Sequence, residues 1–284
     1  GTKKHIRVSS ENVMGIEIPL AKSIRGRVLA KDLLTKNGEI LMKEGTLVKK
    51  SDVKEIINND IKEAFVYSPL SCESLNGICQ KCYGEDLAKN DLVKIGEAVG
   101  IVAAQAIGEP GTQLTMRTFH SGGVAGSDIT QGLPRVSEIF EKRSPKSPGV
   151  ISLSNGEVIE IIRNKKEKKI IVMSNDDGSY KDSKKKGMRI EYDVLYSRRP
   201  VVKKGDKVVK GQALTDGSLN ITDLYELSGK ENAQNYIINE LNKVYELQGA
   251  SISRKHIELI VKQMFSRVEI ISVGDTSFKE GKII

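Results

Sequence analysis

Apolar positions fall into three successive patterns along the chain. Short apolar runs between polar turns, Ile24-Arg-Gly-Arg-Val-Leu-Ala30, Ile40-Leu-Met42 and Ala64-Phe-Val-Tyr67, predict short strands in the first 70 residues. Around them a helix is expected over 51–58, with Ser51 as N-cap and Glu55 as a first-turn acid. The stretch from Lys94 to Ile107 is built from alanine, glycine and aliphatic residues. It predicts a helix buried on most sides, with Gly96 and Gly100 letting a neighbour pack closely. From about Ile151 the pattern becomes β. Val158–Ile162 and Lys169–Met173 read as paired strands joined across a lysine-rich turn, and Pro200–Leu214 holds two glycine turns spaced by a short apolar strand. That last pattern is common in small barrel-sandwich modules. Ser228-Gly-Lys-Glu231 reads as a capping box opening an amphipathic helix that runs to Gln248 and stops at Gly249. A second helix is expected over 253–266 and a closing strand over 268–273.

The expected fold class is therefore mixed α+β, in five parts. Residues 1–70 form a β-rich segment with a short helix, 71–93 a cysteine knuckle, and 94–143 a helix and loop region. Residues 144–220 are β-rich, and 221–284 hold a helical pair and closing strand. The ends, Gly1-Thr2-Lys3-Lys4 and Gly281-Lys-Ile-Ile284, lack the polar character of natural termini, so the chain reads as a piece of a longer protein.

Chemistry concentrates between Gly108 and Gly123. Pro110 and Gly111 are expected to break the preceding helix, and Gly122 and Gly123 give backbone freedom on the far side, so the strip reads as a hinged unit, mobile over about 112–127. If residues 113–120 are helical, Gln113, Met116, Arg117 and His120 stand at i, i+3, i+4 and i+7, on one face. An amide, a thioether, a guanidinium and an imidazole together suit a nucleotide's ribose, base and phosphates. The bland reading is that Leu114, Met116 and Phe119 are core residues and His120 a surface histidine.

The 45 basic against 37 acidic residues give a net charge of +8 at pH 7, which favours a polyanionic neighbour. Much of that charge is local, at Lys165, Lys166, Lys168, Lys169 and Lys184–Lys186, and such runs commonly form solvated hairpin edges. No apolar run reaches membrane-span length and no signal-peptide pattern opens the chain, which points to the cytoplasm. Three clustered cysteines argue against a secreted disulfide framework. Cys72-x6-Cys79-x2-Cys82 instead has the spacing of a structural zinc site, with Gly77 and Gly84 placed for tight turns. Zinc in such a site takes four ligands. His5 is the nearest chemically plausible fourth, although nothing in its spacing recommends it, and the ligand is otherwise expected from outside the chain.

Three long stretches resemble the largest (β′) subunit of bacterial multisubunit RNA polymerase. They are Cys-Tyr-Gly-Glu-Asp-Leu-Ala88, the run from Gly96 through Gln-Ala-Ile-Gly-Glu-Pro-Gly-Thr-Gln-Leu-Thr-Met-Arg-Thr-Phe to His120, and Asp128 through Gly-Leu-Pro-Arg-Val-Ser-Glu-Ile-Phe to Glu141. Tyr236 to Gly249 and Lys255-His-Ile-Glu258 resemble the same subunit. The resemblance implies that the strip is the trigger loop, which folds against an incoming nucleoside triphosphate. Gln113 would then face the ribose, Leu114 and Met116 the base, and Arg117 and His120 the triphosphate. It implies structural Zn2+ at Cys72, Cys79 and Cys82, with the family's fourth cysteine directly before the Gly-Thr that opens this chain. It also implies a jaw at about 144–216 near downstream DNA, and no large insertion in the trigger loop, because Gly126-Ser-Asp-Ile-Thr130 follows the glycines at once.

The implied partners are the β, α, ω and sigma subunits, DNA template, RNA product and NTP, in a cytoplasmic, nucleoid-associated enzyme with nucleotidyltransferase activity. The family's Asp-rich motif for two Mg2+ ions is not in this chain, and Asp176-Asp177-Gly178 reads as a turn. The chain alone is thus expected to be inactive. Two other classes fit parts of the sequence: a stand-alone nucleic-acid-binding module acting through the basic jaw, and a carrier domain at Val201–Leu214. The carrier reading lacks the expected Met-Lys-Met turn.

Overall fold

A computed structural model describes residues 2–13, 16–117, 133–164, 167–175 and 187–284, with only the backbone described for 11–13, 16–18, 112–117 and 133. In chain order its elements are β1 (Ile6–Ser9), β2 (Glu11–Val13), β3 (Ile16–Ile18), α1 (Leu20–Ile24), β4 (Leu33–Leu34), β5 (Ile40–Met42), α2 (Val53–Asn58) and β6 (Glu63–Val66). There follow α3 (Gln80–Tyr83), β7 (Glu85–Asp86), β8 (Asp91–Leu92), α4 (Val99–Arg117) and α5 (Leu133–Phe140). The remainder comprises β9 (Gly156–Arg163), β10 (Lys168–Ser174), β11 (Arg189–Asp193), β12 (Lys207–Val208), α6 (Ile221–Leu247) and α7 (Arg254–Met264). The fold is mixed α+β, as the periodicities predict. It divides into two compact units, residues 1–116 with 241–284, and residues 117–240.

In the first unit the period of two along β1 and β6 sets the register. Ile6 pairs with Val66 and Val8 with Ala64, so the apolar side chains share one face. That face closes on Leu20, Ala21 and Ile24 of α1, on Ile56 of α2, and on Leu29, Leu33 and Val48. The helix expected over 51–58 forms as α2, but Ser51 does not cap it. Asp52 is the N-cap residue. Its carboxylate accepts the Lys49 N–H at 2.8 Å and the Ser51 hydroxyl at 2.8 Å, so the charged acceptor organises the turn that leads into the helix.

Helix α4 departs from expectation in three ways. It starts at Val99, because Gly96 sits in a turn with φ 94°. It runs through Pro110 and Gly111 to Arg117 without ending. A proline removes one N–H and crowds the carbonyl four residues back, a local penalty that a packed helix can absorb. Finally, over residues 99–111 it is buried on one side only. Ala103 and Ile107 are covered, whereas Ile101 is 61% exposed and Val102 45%, and among the described residues no neighbour outside the helix's own backbone would lie within 4 Å of a β-carbon added at Gly100.

In the second unit β9 and β10 pair antiparallel as predicted, within a four-stranded sheet ordered β11-β10-β9-β12. Val158, Ile170, Val172, Tyr192, Val208 and Leu214 form its core. Lys168 corrects the reading of the lysine run as solvated. It is buried, and its amine donates to the Arg198 carbonyl, while Lys169 reaches Glu191 at 3.3 Å. Residues 165, 166 and 176–186, including the predicted Asp176-Asp177-Gly178 turn, lie outside the described residues.

The helix expected after Ser228 forms, but Ser228 does not cap it: helical backbone is interrupted at Gly229 and resumes beyond it, running to Leu247. Helix α6 begins at Ile221, where the Asn220 side chain accepts the Thr222 N–H at 2.9 Å. The Ser228 hydroxyl donates to the Leu224 carbonyl one turn back, at 2.7 Å, and Gly229 beside it takes φ 83°, the kink at which two helical segments meet and a conformation glycine adopts readily. The helix ends before Gly249, as read. The closing strand forms a short C-terminal pairing in which Val268 and Ile270 hydrogen-bond with Ile284 and Lys282.

Candidate functional site

The knuckle begins after β6. Cys72, Cys79 and Cys82 bring their sulfurs within 4.8 Å of one another, and among the described residues they form the one group of three or more potential metal ligands. Cys79 precedes the single turn of α3 and Cys82 lies within it, so the C-x2-C spacing turns both thiols to one side. Gly84 terminates that turn with φ 82°. A β-carbon there would land on the Gly26 carbonyl oxygen, which accepts the Glu85 N–H at 2.8 Å, so only glycine allows the knuckle to join the first strands.

Three thiols at this separation fit a tetrahedral thiophilic ion, for which Zn–S bonds of about 2.3 Å place sulfurs about 3.8 Å apart. Burial alone would raise the Cys72 pKa, but hydrogen bonds from the Cys79 and Ser74 N–H groups and from the Thr2 hydroxyl outweigh it and bring Cys72 down to about 7. Burial pushes the Cys82 thiol up, helped by its thiol neighbours. The Thr2 hydroxyl lies 3.8 Å from both Cys72 and Cys79, which sets the start of the chain against the cluster. His5 is not brought to it. Its imidazole meets the Phe65 ring edge-on at 5.5 Å and its Nδ1 faces the Lys3 carbonyl.

Helix α7 holds the knuckle from behind. Lys262 donates to the Cys72 carbonyl at 2.6 Å, and Lys255 donates to the Glu85 carbonyl while its amine lies 4.2 Å from the Tyr83 ring centroid. Tyr83 and His256 share a hydrogen bond at 3.3 Å. Two turns of the same helix also secure the N-terminal segment. Glu258, fully buried, accepts hydrogen bonds from both terminal guanidinium nitrogens of Arg27 at 2.7 Å and from the Ser68 hydroxyl at 2.6 Å. Burial lowers Lys255 to about 8, with the Arg27 charge adding to the effect. His256 falls to about 4 through burial and the neighbouring Lys255 and Arg27 charges. The sequence reading singled out Lys255-His-Ile-Glu258 but missed this network, because Arg27 lies 231 residues from Glu258 and no local spacing connects them.

The nucleotide-facing strip is reached along α4. Gln113, Leu114, Met116 and Arg117 occupy its last two turns, so the backbone places Gln113, Met116 and Arg117 on one face, as the spacing predicts. His120, and most of the segment expected to hinge, lie outside the described residues. Upstream, the Tyr245 hydroxyl of α6 donates to the Ile107 carbonyl of α4 at 2.9 Å, three residues before Pro110.

The family model described as RNA polymerase Rpb1, domain 5, matches residues 60–283. The chain is 46% identical, over its whole length, to the DNA-directed RNA polymerase subunit beta' of Caldicellulosiruptor saccharolyticus, of which it covers 24%. It is 46% identical over 93% of its length to the same subunit of Thermoanaerobacter sp. strain X514, covering 22% of that protein. Against Clostridium tetani the identity is 42% over the whole chain. The chain thus spans about a quarter of the length of these relatives. No helix among the described residues is long and apolar enough to cross a membrane.

Proposed function

Since the chain belongs to the RNA polymerase Rpb1 domain 5 family and is part of a β′ subunit of the DNA-directed enzyme, a nucleotidyltransferase, we propose that it supplies the substrate-closing element of that polymerase. In this reading residues 94–143 are the trigger loop. Gln113 faces the ribose of the incoming NTP, Leu114 and Met116 pack on its base, and Arg117 and His120 meet the triphosphate. Arg117 offers a planar donor fork for phosphate oxygens, and Met116 a deformable surface that tolerates any of the four bases. His120 either gives a proton to the leaving pyrophosphate or adds positive charge beside it.

The observation that carries this reading is the continuity of α4. One helix, anchored at Ala103 and Ile107, runs on through Pro110 to Arg117, so that Gln113, Met116 and Arg117 stand at i, i+3 and i+4 of its backbone. Its uncovered apolar side at Ile101 and Val102 suits packing against another part of the polymerase.

Zinc is the structural ion proposed for Cys72, Cys79 and Cys82, with a fourth ligand from outside this chain's described residues. Magnesium for nucleotidyl transfer is held elsewhere in the enzyme, so this chain alone is inactive. The β-rich residues 144–220 form a jaw near downstream DNA, and the β, α, ω and sigma subunits, template and RNA are the partners of the assembled enzyme, which acts in the cytoplasm at the nucleoid.

The decisive experiment is single-nucleotide addition by reassembled polymerase carrying His120→Ala or Met116→Ala. Both are expected to slow incorporation about tenfold or more, over about 1.4 kcal/mol of barrier, while DNA binding holds. Unchanged rates would remove the strip from the reaction and leave the chain a DNA-holding role through the jaw.

A further inference from the structure

We infer that the cleft between α1 and the loop joining α6 to α7 is a binding site for a small phosphate monoester, with Arg25 as its anion-holding residue. The cleft encloses about 240 Å3. It shares no residue with the strip at 113–120, and the inference does not depend on the role proposed for that strip.

The charges lining the cleft do not cancel. Lys22, Arg25 and Arg254 face one carboxylate, Glu246. Glu246 is already satisfied by the Lys22 amine, at 3.0 and 3.1 Å to its two oxygens, and by the Ser251 hydroxyl at 3.2 Å. Arg254 lies 3.3 Å from Glu258, on the buried side of its helix. Among the described residues Arg25 has no acidic partner, and its Nε is buried without an acceptor. A guanidinium carries five donors in a planar fork. The buried Nε is closed to the cleft, and Arg25 is only partly buried, so the terminal nitrogens are the donors an anion in the cleft would meet. Phosphate oxygens match that fork in geometry and charge.

The backbone holds Arg25 in place before any ligand arrives. Its own N–H donates to the Ala21 carbonyl at 3.1 Å, and the next N–H, of Gly26, donates to Val48 at 2.8 Å. Serine hydroxyls at 23, 251 and 253 stand around the same space, and Leu87 and Ile252 supply an apolar wall. That combination suits a phosphate attached to a short organic body. The volume lies below the roughly 300–1,000 Å3 of pockets that enclose drug-sized ligands, which disfavours a nucleoside triphosphate.

Glycerol 3-phosphate is the probe, titrated by calorimetry into the 284-residue chain at fixed ionic strength, with sodium sulfate as the comparison anion. Saturable binding that weakens at least tenfold in Arg25→Gln is expected. Glu246→Gln, which removes the opposing carboxylate, is expected to bind at least as tightly as the parent, and Lys4→Gln, at a distant exposed lysine, to match it. Equal affinity of the parent and Arg25→Gln overturns the site, and so does equal affinity for sulfate and glycerol 3-phosphate, which would reduce it to general anion attraction. In assembled polymerase, Arg25 is expected to react with phenylglyoxal and to be protected by glycerol 3-phosphate. Protection without the phosphate would mean that a neighbouring polypeptide fills the cleft, and would also overturn the proposal.

Discussion

The Tyr245 hydroxyl donates a 2.9 Å hydrogen bond to the Ile107 carbonyl, joining the end of α6 to α4 just before its proline. The tyrosine is almost fully buried. Tyr245→Phe keeps the ring and removes one bond, so it is expected to lower stability by about 1 kcal/mol, whereas Tyr245→Ala also opens a cavity and is expected to lose roughly 3–5 kcal/mol. Amide hydrogen exchange along 99–111 should accelerate in Tyr245→Phe relative to exchange in β9 and β10. Identical protection in parent and variant would mean the bond does not anchor the helix.

Arg27 and Glu258 form a fully desolvated pair, and breaking it from one side strands a buried charge. Arg27→Met alone is expected to destabilise by roughly 3–5 kcal/mol, and the double variant Arg27→Met, Glu258→Leu to recover most of that loss. Urea unfolding of the three proteins tests this, and a double variant no more stable than the single would argue against a stranded charge. Burial by itself would raise the Glu258 pKa, but the Arg27 and Arg254 charges and the Ser68 hydrogen bond hold it below its ordinary 4.5. Its folded value being depressed, the pair contributes fully above about pH 4.5 and loses that contribution as pH falls further.

His256 gives a second, separable acid sensitivity. Burial and the adjacent Lys255 and Arg27 charges lower its pKa from 6.5 to about 4, so between those values the unfolded chain takes up a proton that the folded chain refuses. Stability is therefore complete above pH 6.5 and declines as pH drops towards 4, by a total of order 3 kcal/mol at about 1.4 kcal/mol per pKa unit. His256→Gln should flatten urea midpoints compared between pH 7.5 and pH 5. A variant that loses as much stability as the parent over that range would assign the effect to another group.

Zinc should bind weakly to a three-thiolate site with an open fourth position and tightly once a fourth thiolate is supplied from upstream. Cobalt titration, read through thiolate-to-metal absorption, is expected to show a shared site that Cys79→Ser or Cys82→Ser abolishes. Strong zinc retention by the chain alone would mean that water or another of its own residues closes the site. No change on adding an upstream cysteine would place the missing ligand elsewhere.

Local chemistry made the knuckle legible. A C-x2-C pair with a third cysteine restricts where the thiols can point, and the three sulfurs meet as that spacing requires. The strands over 158–162 and 169–173 were equally legible, because short runs rich in β-branched residues bounded by a polar turn favour a hairpin. The register shift between Ile171 and Val172, and the burial of Ile170, Ile171 and Val172 in succession, were not. The signals at Ser51 and Ser228 marked the right stretches for helices but the wrong caps, for a related reason. Both serines sit where a cap belongs, but Asp52 offers a stronger acceptor beside the first, and the second finds a carbonyl one turn back. Pro110 misled because a proline's penalty is local, whereas the contacts made by Ala103 and Ile107 fall outside any short window.

By itself the sequence determined the element types, the convergence of three cysteines, and the register of Gln113, Met116 and Arg117 along a helix. Each follows from covalent spacing within a few turns of chain. Only the tertiary structure decided that Arg27 would pair with Glu258, that Lys255 and His256 would brace the knuckle, that Lys168 would be buried, and that Arg25 would line a cleft with no acidic partner of its own among the described residues. Those outcomes turn on desolvation and on which distant groups share a buried space, and burial is a property of the folded chain that neighbouring residues do not encode.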